Sequence, residues 1–143
     1  MRHPRPVLLA CLLTVLVAAL PARAQDVPPP EPPRLSWGIA DRYHGPGAYV
    51  RVACSAACTI SDKLTIGYNM KVFLRLKSKT VATGKGHLDG AGLVDVLVDL
   101  DNSAIRAVRK RHGNQLPVRL DASAKDSDGR TAKLSKKNIK IPL

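Results

Sequence analysis

Aromatic side chains are scarce in this chain: one Trp, three Tyr and one Phe are all it has, 3% of 143 residues. Any core must therefore be built mainly from aliphatic side chains, since the large rings that usually dominate buried area are missing. Acids are scarce too, 11 Asp and Glu against 23 Lys and Arg. That imbalance excludes an affinity for cationic partners and favours polyanionic ones, such as acidic wall polymers, lipid headgroups or extracellular nucleic acid. Only three cysteines occur, too few for a disulfide-dense scaffold. Catalytic signatures are absent as well: no nucleophile elbow, phosphate loop, zinc-ligand spacing or paired-carboxylate cleft can be read. No catalytic, cofactor-binding or metal-ligating residue is assigned, and an enzyme is not expected.

What is present begins with the first 24 residues. Arg2, His3 and Arg5 give a basic start, and Val7 to Leu20 is apolar except for Thr14. Pro21-Ala22-Arg23-Ala24 then closes the segment with small residues where a signal peptidase reads. The spacing predicts a signal peptide over 1–24, cleaved before Gln25. Its apolar run is shorter than the ~20 residues a membrane-spanning helix needs, and no second apolar run follows, so the mature chain has no transmembrane segment. Cys11 is poorly placed for lipidation, because most of the apolar run follows it. Secretion, or residence in the cell envelope, is the expected location. Cleavage leaves 119 residues, enough for one core, and the formal charge of +12 falls by three, to +9.

Residues 25–33 read Q-D-V-P-P-P-E-P-P, a proline density that favours extended polyproline II and predicts a semi-rigid tether. The folded domain is expected over 34–143. Period-two alternation dominates it. Val50, Val52 and Cys54 share one face of a strand, as do Cys58, Ile60, Leu64 and Ile66 of the next, where Asp62 interrupts the apolar side. Val72, Leu74 and Leu76 alternate with Phe73, Arg75 and Lys77. Val94, Val96, Val98 and Leu100 alternate with Asp95 and Asp99, and Val118, Leu120, Ala122 and Ala124 with Arg119, Asp121, Ser123 and Lys125. Half-buried antiparallel strands produce this pattern. Turns are expected at Gly45-Pro46-Gly47, Gly84-Lys85-Gly86, Gly90-Ala91-Gly92 and Asp126-Ser127-Asp128-Gly129. One segment differs. Asp101, Asn102 and Ser103 are candidate caps, Ala104, Ile105, Ala107 and Val108 have helical spacing, and Gly113 is a stop, so a short crossover helix is expected at about 102–112. The fold class is all-β: an antiparallel β-sandwich of about seven strands with one helix.

The order of these pieces, V-R-V-A-C-S-A-A-C-T-I over 50–60, a valine-rich strand running into S-A-I-R-A-V-R-K, and the final hairpin P-V-R-L-D-A-S-A-K-D-S-D-G-R-T-A-K-L, resembles the small immunoglobulin-like β-sandwich modules of exported and surface proteins of actinobacteria. The resemblance covers 34–143. It implies an immunoglobulin-like fold and carries over no catalytic residues. Many such modules have D-x-x-G-N in the last hairpin, where this chain has Asp126-Ser127-Asp128-Gly129-Arg130.

Three groups of residues are candidates for sites. Cys54 and Cys58 are expected to form a disulfide, since Ser55, Ala56 and Ala57 between them allow the Cα approach a bridge needs. A redox role would require C-x-x-C spacing and metal binding two further ligands, while His44, His87 and His112 stand apart. Arg106, Arg109, Lys110 and Arg111 on the helix, with Lys133, Lys136 and Lys137 in the last strand, are candidates for binding a polyanion. A lysine-rich last strand also protects an edge from aggregation. Trp37, Tyr43 and Tyr49 could stack on sugar rings or pack as part of the core. Asp126, Asp128 and Gly129 look like part of a calcium loop, but Ala124 and Ser135 occupy positions where further ligands belong, so a plain hairpin turn is expected. Two roles fit: a non-enzymatic structural or interaction module meeting another surface protein, or a binding module for anionic or glycan wall polymers.

Overall fold

The computed structural model describes residues 30–40, 45–111 and 113–143; the expected signal peptide, most of the tether, Tyr43 and His44 lie outside them, as does His112. Among the described residues the chain forms seven strands and two short helices: β1 (Arg34–Ile39), β2 (Gly47–Cys54), β3 (Cys58–Thr65), α1 (Tyr68–Leu74), β4 (Thr80–Leu88), β5 (Gly92–Asp99), α2 (Asn102–Arg111), β6 (Gln115–Asp126) and β7 (Thr131–Pro142). The strands make two antiparallel sheets, β1-β2-β5 and β4-β3-β6-β7, packed as a sandwich. Compared with the seven-strand immunoglobulin constant arrangement, the fourth strand is bonded to the third instead of the fifth.

Alternation explains the two layers. Val50, Val52 and Cys54 of β2 face Ile60 and Leu64 of β3, Val96 and Val98 of β5, and Leu116, Val118, Leu120, Ala122 and Ala124 of β6, all buried. Ile139 and Ile141 of β7 complete the wall. No aromatic side chain among the described residues is fully buried; Trp37 is half-buried against the core. Each buried Val, Leu or Ile contributes roughly 1.5–3 kcal/mol, so the many aliphatic side chains make up for the missing rings.

Two expectations fail here. The alternation over 72–77 predicts a strand, but 68–74 is helical. Met70 and Leu74, four apart, turn toward the core while Val72 and Phe73 face outward. Arg75 ends the helix in the left-handed region (φ 55°), donating to Val72, and the Leu76 amide reaches back to the Lys71 carbonyl. This is a Schellman stop without glycine. Gly84-Lys85-Gly86 is likewise no turn: both glycines lie inside β4, under β5. A Cβ on Gly84 would sit 2.9 Å from the Leu97 carbonyl oxygen, and one on Gly86 would sit 2.5 Å from Val96 Cγ2. These glycines admit close sheet contact, not a bend. The other turns and α2 follow the sequence, with Gly113 (φ 91°) ending α2.

The Cys54–Cys58 disulfide joins the end of β2 to the start of β3, with Cα atoms 6.5 Å apart, and so ties one sheet to the other. Around it the chain is pinned further. The Ser55 hydroxyl donates to the Glu31 carbonyl, and the Ser127 amide of the β6–β7 turn donates to the Ala57 carbonyl. Arg130 donates to the carbonyl of Pro30. Asp126 organises that turn: its carboxylate accepts the amides of Asp128 and Arg130 and the Arg130 Nε. Burial opposes its charge, but the Arg130 side chain and these amides outweigh burial and hold the carboxyl below the usual range. Asp128 is paired with Arg130 as well, so the segment is a hairpin turn with both carboxylates engaged.

Replacing both bridge cysteines by Ala should lower stability by about 2 kcal/mol, the entropy of so small a loop, and leave the fold intact. Urea denaturation with circular dichroism measures it, and thiol titration of the unfolded, unreduced wild type should find none reactive at these positions. Gly84→Ala should cost roughly 1–3 kcal/mol by forcing β5 away. Gly90→Ala, with open space around it, should stay within about 0.5 kcal/mol of wild type in the same assay.

Candidate functional site

Residues between the buried positions of β3, β4, β6 and β7 all point to the outer face of the four-stranded sheet, and the register sets them in rows. One row runs Lys85, Ser61, Ser123, Lys133 across the four strands. The next runs Thr83, Lys63, Asp121, Ser135, and on the other side come His87, Thr59, Lys125, Thr131. Thr65 pairs with Arg119 at the far end. There β7 bulges, with Asn138 in the left-handed region (φ 58°), and Lys137 joins Thr65 and Arg119 around a shallow depression.

Lys63, Lys85, Arg119, Lys125, Lys133, Lys137 and, opposite Pro117, Lys140 thus occupy one sheet face whose rows hold a single acid, Asp121. The Arg119 Nε and the Ser135 hydroxyl both donate to Asp121 Oδ1, at 2.9 and 2.8 Å. Burial opposes the Asp121 charge, but these two bonds and the charges of Arg119 and Lys63 hold its carboxyl below the usual range. Among the described residues none of the six lysines has an ion pair. Lys63 and Lys133 flank a groove of about 390 Å³ that Arg119, Asp121, Ser123 and Ser135 also line. Strands lie about 4.8 Å apart and alternate residues ~6.6 Å apart, so the face is a lattice of cations and hydroxyls at spacings an extended polymer can follow.

The structure divides the candidate basic residues between two surfaces. Lys133 and Lys137 belong to this lattice; Lys136, opposite Leu120, points toward the inner side of the edge yet remains exposed, a placement that discourages edge pairing. Arg106, Arg109, Lys110 and Arg111 lie on α2, which packs beside α1. Arg111 is half-buried there and donates to the Phe73 carbonyl at 3.0 Å. Lys63, Lys85, Arg119 and Lys125 were not singled out from the sequence. Their signal is their alternation with buried residues, which becomes a shared face only when the pairing register is known. The proposed aromatic platform does not assemble from its two described members. Trp37 pairs with Val50 and faces the core, while Tyr49 lies on the outer face over Gly38, close to the Arg51 guanidinium that is bound to Asp95. Tyr43 lies outside the described residues.

Inside the sandwich one group stands alone. Asp62, 2% exposed, sits on the core face of β3 between Gly84 and Ala122 of the neighbouring strands, and neither carboxylate oxygen has a hydrogen-bond partner. Burial pushes its pKa up to about 6, only partly offset by the nearby Ser123 backbone. Among the described residues no three His, Cys, Asp or Glu side chains group as metal ligands, and no helix is long and apolar enough to cross a membrane.

No family model, curated protein or solved structure matches the chain. The site is therefore read from its own chemistry.

Asp62 gives a test of that chemistry. In the unfolded chain it titrates near pH 4, whereas the folded state holds its proton to about pH 6. Its destabilising effect is absent below pH 4, grows as pH rises through this window and is complete above about 6. Asp62→Asn should therefore be more stable than wild type at pH 7, by up to about 3 kcal/mol, and equal to it near pH 4. Urea denaturation of both proteins across this range checks the slope; a pH-independent difference contradicts it.

Proposed function

We propose that this protein is an exported, non-enzymatic interaction module of immunoglobulin-like type, and that the outer face of its four-stranded sheet binds an anionic polymer of the cell envelope. The observation that carries the reading is the concentration of seven cations and one acid on a hydroxyl-rich sheet face, with six lysines free of ion pairs among the described residues. Desolvating unpaired surface ammonium groups costs little when phosphate, sulfate or carboxylate groups replace water, and many weak contacts along one polymer add. The basic leader and apolar run support export, and a disulfide is compatible with an oxidising compartment.

A second reading, contact with another surface protein, is favoured by the opposite side of the sandwich. There Leu93 and Leu97 of β5 are 61% and 42% exposed on either side of the Arg51–Asp95 pair, Leu97 opposite Tyr49, apolar side chains around a paired charge, as at the surfaces protein partners cover.

The test is retention of residues 25–143 on immobilised sulfated polysaccharide at rising salt. Retention should fall steeply with ionic strength. The Lys63→Gln/Lys85→Gln/Lys133→Gln variant should elute at markedly lower salt, whereas Arg106→Gln/Arg109→Gln/Lys110→Gln should shift much less. Absence of retention even at low salt overturns the polymer reading, and retention that depends on α2 instead of the sheet moves the site.

A further inference from the structure

We propose that α1, with α2 beside it, forms a docking surface for the headgroup layer of an anionic lipid bilayer. Its residues are distinct from those of the sheet face argued above, which it adjoins where Gly67, Asn69 and Met70 share a depression with Arg119 and Lys137.

Helix α1 is apolar on its inner face and carries large apolar side chains on its outer one as well. Met70 and Leu74 pack toward the core, and the arc pointing to solvent carries Tyr68, Asn69, Val72 and Phe73. Tyr68, Val72 and Phe73 are 63%, 57% and 52% exposed. Three large apolar side chains on seven residues are an unusual concentration for a protein otherwise poor in rings. Tyr68 and Val72, four apart, sit side by side on the helix surface.

The surroundings decide which partner fits. Residues 67–80 and 102–113 together carry Lys71, Arg75, Lys77, Lys79, Arg106, Arg109, Lys110 and Arg111 and no acid at all. The two segments meet in space, because α1 packs on α2 and Arg111 donates to the Phe73 carbonyl. Lys79 lies over the Tyr68 ring, 5.4 Å from its centre. Asp101 is the acid just before α2, sharing a groove with Arg75 and Lys77. Exposed apolar side chains with cations beside them match the two chemistries of a lipid surface at once. The side chains of Val72 and Phe73 enter the acyl boundary, the Tyr68 ring sits at headgroup level, and the long lysines and arginines reach phosphates. A hydrated polymer would use the cations but leave the exposed Tyr68 and Val72 in water, and a protein groove would have little use for eight positive charges.

The experiment is co-sedimentation of residues 25–143 with vesicles of phosphatidylglycerol and phosphatidylcholine, and with vesicles of phosphatidylcholine alone. All strands and the disulfide lie within that segment, and its fold is checked by circular dichroism. Binding should require the anionic lipid. Tyr68→Ser/Val72→Ser should weaken it by about tenfold or more without changing the melting temperature, since both side chains are exposed. Lys63→Gln/Lys85→Gln/Lys133→Gln should bind vesicles like wild type. Equal binding to neutral vesicles, no binding to either, or loss of binding in the sheet variant with retention in the α1 variant would each overturn the proposal. Because the polymer assay depends on the sheet variant and this one on the α1 variant, either reading can fail alone.

Discussion

The antiparallel ladder between β3 and β6 pairs residues from Cys58 opposite Asp126 to Thr65 opposite Arg119, and both faces of the larger sheet depend on it. In this register Ile60, Leu64, Leu120, Ala122 and Ala124 point inward, while Lys63, Arg119, Ser123 and Lys125 point to water. A slip of one residue would exchange the two sets, burying unpaired cations and exposing the core. The register is held from several sides. Aliphatic burial favours it, the disulfide fixes where β3 begins, and the Ser127 amide bound to Ala57 fixes where β6 ends. The cationic face is thus the reverse side of the hydrophobic core, specified by the same alternation.

Building that core without large rings has a cost in geometry. Small and branched side chains fill the space only if the sheets come close, and where β4 passes β5 the approach excludes even a methyl group, hence glycine at 84 and 86. Asp62 belongs to the same crowded layer, flanked by Gly84 and Ala122. Among the described residues it is the one buried side chain left without a hydrogen bond, and there the core works against itself, since a carboxylate without partners favours the unfolded chain whenever it is ionised.

Much of this was legible in the residues. Strands written as Val-x-Val-x-Val and the α2 segment with its caps and glycine stop show one period each, and each forms as that period dictates. The α1 segment carries two periods at once: Val72, Leu74 and Leu76 alternate, while Met70 and Leu74 are one helical turn apart, and only contact with the core chooses the helix. Glycine in Gly84-Lys85-Gly86 signals permissiveness without saying whether a turn or a neighbouring strand requires it. The candidate site was half legible for a similar reason. Lys133 and Lys137 stand out as a local cluster, but Lys63 and Lys85 are distant in sequence, and no local pattern says they share a face with Arg119 and Lys125. Trp37 and Tyr49 made the opposite error, near neighbours in sequence that antiparallel pairing places on opposite sides of one sheet.

The disulfide and the residues pinned around it, Pro30, Glu31 and the β6–β7 turn, occupy one pole of the sandwich, where β1 begins. Helices α1 and α2 follow the other ends of β3 and β5, and Leu143 donates its amide to Asn114 just beyond α2. The chain therefore enters at one pole and finishes at the other. A pull applied between Arg34 and Leu143 runs parallel to the strands and loads the ladders in shear, with many hydrogen bonds sharing the force instead of opening one after another. The covalent link spans only Ser55, Ala56 and Ala57, so it withholds almost no length from such an extension while keeping the two sheets from parting at that pole. Such a load would thus be shared by the strand ladders between the pole where β1 begins and the pole that carries the two helices.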